Sequence, residues 1–196
     1  MSRTQYYCAA TLDGYIADAD DGLGWLMGYQ GSYGGAEAEP GPMSEGGAYD
    51  RFYEGVGALV SGSTTYEFVL DHIDDPSGWP YMGKPYWVLS SRDLEVPEAE
   101  GVDVRVLDGD VAGLHEELLG SAGEGNLWVV GGGNVASQFA DANLLDELHL
   151  TVVPVALGEG KPLFDRALPG GPMQLTGTRT FATGMVELRY ELDRRA

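Results

Sequence analysis

One run in this 196-residue chain carries the clearest chemical signal. Leu127-Trp128-Val129-Val130 is an apolar strand that passes into Gly131-Gly132-Gly133 and then into a helix beginning Asn134-Val135-Ala136. Glycine lets backbone amides approach a ligand closely, and a helix N-terminus offers unpaired N–H groups with a partial positive charge. Such a bend holds a pyrophosphate without any lysine or arginine. The same three glycines also suit a plain strand-to-helix turn, and the residues alone leave both readings standing. Gly131, Gly133 and Ala136 formally satisfy the dinucleotide fingerprint G-x-G-x-x-A. That fingerprint ordinarily opens the first strand–helix unit of a Rossmann dehydrogenase. Here it comes late and is followed by a β-hairpin pattern, which argues against that fold.

Asp13-Gly14 is the second signal. A carboxylate directly after the first strand polarises a substrate or relays a proton, more effectively if burial raises its pKa. Asp-Gly is equally a common turn pair, and that alternative stays open. Tyr49, Phe52, Tyr53 and Val56 stand at i, i+3, i+4 and i+7, one face of a helix. Phe52 and Tyr53 are candidates to roof a flat heterocycle, although an aromatic stripe is more often core. Trp25 either caps a pocket or anchors its loop, and Lys84 is a candidate to meet an acidic substrate group, although it reads more simply as a solvated lysine. Asp18, Asp20 and Asp21 lack the later ligands of a calcium loop and read as solvated acids. His72, His115 and His149 are scattered and Cys8 is the only cysteine, so neither a metal site nor an internal disulfide is expected.

Thirty-one acids against 11 bases give a net charge of −20, which repels phosphate backbones and anionic lipid and disfavours nucleic-acid and membrane partners. The residues are 43% hydrophobic and 21% charged, enough apolar material for one packed domain over residues 1–196. No apolar run approaches the roughly 20 residues of a membrane helix, and the first residues lack a signal core, so a cytoplasmic protein is expected.

The elements that must position these residues alternate. Strands are read at 5–10, 58–60, 85–90, 102–106, 126–130 and 147–153. Helices are read at 49–56, 64–70, 111–119 with Asp110 as N-cap, and 135–142. Residues 11–25 read as a loop, 31–47 as a flexible Gly/Pro-rich insertion, and 173–192 as a terminal hairpin. The expected fold is α/β: a mostly parallel central sheet with flanking helices, closed by an antiparallel C-terminal hairpin.

With these residues in hand, the chain resembles the dihydrofolate reductase-like superfamily. Val130 to Phe139 is similar to its glycine loop and helix, Leu59-Val60-Ser61-Gly62-Ser63-Thr64-Thr65-Tyr66-Glu67 to its G-R-x-T-[WY]-E motif, and Val88 to Arg92 to its adenosine-phosphate strand end. Ala9 to Ala17, containing Asp13-Gly14, and Gly158 to Phe164 resemble the riboflavin-pathway reductase branch, in a free-standing form. The resemblance implies an NADPH-dependent oxidoreductase of a small heterocyclic substrate, with a homodimer as a candidate state. A non-catalytic nucleotide- or ligand-binding module on the same fold is the alternative.

The resemblance further implies that Val130, Gly131, Gly132, Gly133, Asn134 and Val135 cradle the pyrophosphate, with a second contact from Gly62, Ser63, Thr64 and Thr65. Leu89, Ser90, Ser91 and Arg92 would face the adenosine ribose, Ala10 and Ile16 the nicotinamide, and Asp13 would be catalytic. Trp25, Phe52 and Tyr53 would face the substrate. Two departures stand out. The motif's arginine is Ser63 here, a loss that Arg92 would offset on a 2′-phosphate. If Trp25 is the loop tryptophan of folate reductases, the position of their acid is Gln30, which cannot ionise; Asp50 is a displaced candidate.

Overall fold

A computed structural model describes residues 2–32 and 39–193. In chain order the elements are β1 (Thr4–Thr11), β2 (Tyr15–Ala17), α1 (Gly24–Met27), α2 (Ala48–Glu54), β3 (Val56–Gly62), α3 (Ser63–Leu70), β4 (Pro85–Leu89), β5 (Asp103–Leu107), α4 (Val111–Ser121), β6 (Asn126–Gly131), α5 (Gly133–Asp141), β7 (Glu147–Val153), β8 (Lys161–Pro162), β9 (Gln174–Thr180) and β10 (Val186–Glu191). The main sheet has the order β5-β4-β3-β6-β1-β7-β10-β9. Its first six strands pair in parallel, and β10 and β9 extend it antiparallel at one edge. This is the architecture expected of the sequence. The span read as a loop over 11–25 also contains β2, which pairs antiparallel with β8.

Period-2 alternation explains the layers. Successive strand residues point to opposite faces, and a parallel sheet covered on both sides is apolar on both. Tyr6, Val60 and Val129 face α4 and α5, packing with Leu118, Val135 and Phe139. Their neighbours Tyr7, Leu59 and Trp128 face the other way, packing with Phe52 of α2 and Tyr66 of α3. Asp110 caps α4 as expected, its Oδ1 accepting from the Gly113 amide at 2.9 Å. Glu187 on β10 is fully buried, and Arg179 and Arg189 compensate its charge.

Of the expected insertion 31–47, residues 33–38 lie outside the described residues. Beyond them the chain is tied down. Glu39 bridges Phe181, and the Tyr49 amide donates to Pro42 O at 3.0 Å.

Candidate functional site

The site follows from one feature of connectivity. β3 and β6 are neighbours in the sheet, yet the helices they feed pack on opposite faces, α3 with Tyr7 and Trp128, α5 with Tyr6 and Val129. Where adjacent parallel strands send their helices apart, a crevice opens outside the carboxyl ends of the strands. A cleft of about 720 Å³ occupies that position. Its volume lies within the roughly 300–1,000 Å³ range of small-molecule and cofactor sites.

Both helices start at the cleft and both have a glycine as N-cap, Gly62 for α3 and Gly132 for α5. The first bond within α5 runs from the Ala136 amide to Gly132 O at 3.2 Å, so the amides of Gly133, Asn134 and Val135 precede the helical ladder. Ser63, Thr64 and Thr65 hold the same positions at the start of α3. The two loops stand close together. A Cβ on Gly131 would lie 3.4 Å from Thr65 Oγ1, and one on Gly132 would lie 3.9 Å from the same oxygen and 4.0 Å from Ile16 Cδ1.

Two of the glycines have separate physical reasons. Gly131 has φ +151°, a backbone state that side chains resist. Gly133 abuts the end of β8, where a Cβ would stand 2.4 Å from Pro162 O and 2.8 Å from Leu163 O. Asn134 is held by Asp165, its Nδ2 donating to Asp165 Oδ2 at 2.6 Å. The carboxyl of Asp165, which burial alone would push up, is held below its ordinary value by Asn134, Ser137 and Arg166.

The cleft has two unlike ends. Towards β1 and β2 it is lined by Tyr6, Cys8, Ala9, Ile16, Leu23 and Leu26. Burial pushes the Cys8 thiol up to about 12, so it serves as a neutral, nearly apolar wall. Asp21 and Lys161 also line this end and pair at 3.3 Å. Towards β4 and β5 the lining adds the polar side chains of Ser63, Ser90, Ser91 and Asp108 to Phe68 and Leu89.

The structure gathers most of the residues singled out in the sequence. Ile16, Gly62, Ser63, Thr64, Thr65, Leu89, Ser90, Ser91 and Val130 to Val135 all line the cleft. Six others stand elsewhere. Ala10 is buried, and Ala9 and Cys8 line the cleft in its place. Phe52 and Tyr53 do not line the cleft and belong to the aromatic cluster on the α3 side of the sheet, Phe52 stacked on Tyr7 at 4.4 Å and Tyr53 on Tyr49 at 5.7 Å. The stripe is core. Trp25 packs against the buried cluster of Ala48, Val153, Phe181 and Met185 and anchors its loop.

Arg92 turns away from the cleft. Its amide donates to Ser90 Oγ at 3.0 Å and its guanidinium to Glu67 Oε2 at 2.7 Å, in a separate acidic groove. Asp13 is a loop clamp. It accepts from Thr11 Oγ1 at 2.6 Å and from the Gly158 amide at 2.7 Å, with the Leu157 amide a third donor. These donors, the Thr11 hydroxyl first, hold its carboxyl below the ordinary value, which suits an anchored anion rather than a proton donor.

Lys84 is not simply solvated. Its ammonium donates to Val56 O and lies over the Tyr53 ring. Asp18 receives the amides of Asp20 and Gly22, closing a turn, and no group of three or more potential metal ligands exists among the described residues. Sequence reasoning missed Asp108, Lys161 and Asp165 as cleft residues. Lys161 falls inside the Gly158–Phe164 segment already noted, whereas Asp108 carries no local signal.

The profile of the RibD C-terminal domain family matches residues 5–187. Two uncharacterized Bacillus subtilis (strain 168) proteins are similar along their length. YyaP is 38% identical over 190 residues, covering 93% of this chain and 90% of its own, and YwjB is 29% identical, covering 96% and 97%. The crystal structure of a Shewanella sp. PV-4 protein named for riboflavin biosynthesis superposes with a TM-score of 0.77 at 28% identity, covering 98% of this chain and 99% of that one. Two more distant structures share the fold. The Thermotoga maritima diaminohydroxyphosphoribosylaminopyrimidine deaminase/5-amino-6-(5-phosphoribosylamino)uracil reductase gives a TM-score of 0.61 at 16% identity, over 98% of this chain and 57% of that one. Enterococcus faecalis dihydrofolate reductase, complexed with NADP(H), gives 0.57 at 18%, over 97% of each.

Proposed function

The chain belongs to the RibD C-terminal domain family, and from that membership and the cleft we propose that it is a reductase that takes hydride from a reduced nicotinamide dinucleotide. The observation that carries this reading is the pair of glycine-capped helix starts meeting across one cleft. Their amides supply a diphosphate with donors in a protein whose net charge of −20 would otherwise repel it. The distant neighbours named as a reductase and as an NADP(H) complex support the same reading.

When bound, the dinucleotide supplies a hydride; the chain's own residues bind, orient and exclude water. Gly133, Asn134 and Val135 would hold one phosphate and Ser63, Thr64 and Thr65 the other. The nicotinamide end belongs against Ala9, Cys8 and Ile16, an apolar wall that keeps water from the reacting face. A small heterocycle would share that end with Leu23 and Leu26. Lys161, held beside Asp21, is the cation placed to meet a carbonyl or acidic group on it. Which dinucleotide binds is decided at the polar end, by Ser63, Ser90, Ser91 and Asp108.

A fluorescence titration with NADH and NADPH tests the reading, and the absence of binding to both at millimolar levels refutes it. One observation favours the alternative of a non-catalytic binding module. Of the three aspartates that line the cleft, Asp21 and Asp165 are already paired and Asp108 stands at the β4–β5 end, away from the apolar wall, while Asp13 lies outside the cleft. Dinucleotide binding with no turnover on pyrimidine amines, pterins or quinones would favour that module.

A further inference from the structure

We propose that the cleft selects NADH over NADPH, with Asp108 as the specificity-determining residue; this rests on the dinucleotide reading above. The register of three parallel strands locates the ribose end. Gly62 of β3 pairs with Leu89 of β4, and Leu89 with Leu107 of β5. The residues that follow these strand ends, Ser63 opening α3, Ser90 after β4 and Asp108 after β5, form a row lining the cleft. The Ser90 amide donates to Leu107 O at 2.9 Å, which fixes Asp108 beside Ser90.

With the diphosphate between α3 and α5 and the nicotinamide over β1, strand order leaves only β4 and β5 for the adenosine ribose. The row there holds two hydroxyls and a carboxylate. No lysine or arginine lines this end among the described residues, since Lys161 stands at the opposite end, paired with Asp21. Arg92, the nearest cation in sequence, is committed to Glu67. It lies in a groove whose other lining includes Asp71, Asp74, Asp75 and Asp93, a field that holds a guanidinium there.

A carboxylate accepts hydrogen bonds from a ribose diol and repels a 2′-phosphate dianion. Asp108 is exposed and has no hydrogen bond or ion pair with another described residue, so it is available to the ribose.

Parallel titrations with NADH and NADPH test the assignment. Wild type is expected to bind NADH at least tenfold more tightly. Asp108→Asn should narrow that ratio at least fivefold, and Ser63→Arg, which adds a cation to the row, should move the preference towards NADPH. Arg92→Gln should leave both affinities unchanged. NADPH binding as tightly as NADH, or a selective loss of NADPH affinity in Arg92→Gln, overturns the assignment while the dinucleotide reading stands. Binding of neither nucleotide to a protein with a wild-type melting profile overturns both.

Discussion

Substituting alanine at Gly133 tests whether the start of α5 is the anion site. The added Cβ would stand 2.4 Å from Pro162 O, about 0.9 Å inside the ~3.3 Å at which a carbon and a carbonyl oxygen come into contact. Neither partner is a flexible side chain end, because both close contacts are backbone carbonyls, Leu163 O being 2.8 Å away. The first turn of α5 must therefore move away from the β8 segment by most of an ångström. That displacement costs about 1–3 kcal/mol of stability as overpacking. It also carries the amides of Gly133, Asn134 and Val135 out of hydrogen-bond range of a phosphate. One hydrogen bond to a charged acceptor contributes about 1.5–3 kcal/mol, so losing one weakens the dinucleotide by at least about tenfold. Gly120→Ala in α4 is the control. Its Cβ meets nothing within 4 Å, and alanine there should stabilise the helix by up to about 1 kcal/mol with affinity unchanged. Urea unfolding and a nucleotide fluorescence titration measure both effects. A folded Gly133→Ala protein with undiminished affinity would refute the amide cradle.

Three further outcomes rest on the packing and the ionisable groups. Phe52→Ala should lose about 3–5 kcal/mol in urea unfolding, because the ring is 9% exposed and stacks on Tyr7, while the folded protein binds dinucleotide unchanged; weaker binding would return Phe52 to the site. Asp13→Ala should speed hydrogen exchange at the Leu157 and Gly158 amides at least tenfold and leave dinucleotide affinity within twofold; unaltered exchange would contradict the clamp. Burial alone would raise the Glu147 carboxyl, but hydrogen bonds from His149, Gln5 and Arg3 outweigh it and hold it at about 2 instead of 4.5. Its contribution is present above pH 4.5 and lost as pH falls through about 2. The stability gap between wild type and Glu147→Gln should shrink by about 3 kcal/mol across that range, at ~1.4 kcal/mol per pKa unit. A constant gap would remove the depressed carboxyl.

Whatever depends on near neighbours along the chain was legible in the residues. An apolar run that stops at glycine has one local reading, a strand over Leu127 to Val130, a glycine turn and a helix containing Val135; the structure keeps that order but tightens the turn to Gly132, with Gly131 ending β6 and Gly133 opening α5. The helical spacing of Tyr49, Phe52 and Tyr53 likewise defined one face of α2, although Val56, read as the fourth member of that stripe, opens β3. It did not say which layer that face meets, because a period of 3.6 carries no information about what lies across the sheet. Only the packed fold put the stripe against Tyr7 and Trp128, outside the cleft lining. The same limit applies to Arg92, one residue past the cleft-lining Ser91. A backbone hydrogen bond to Ser90 Oγ and the charge of Glu67 turn its side chain to a different groove. Asp108 is the opposite case. It has no motif of its own and reaches the site because β5 pairs with β4 in parallel register, a contact that exists only once the sheet has formed.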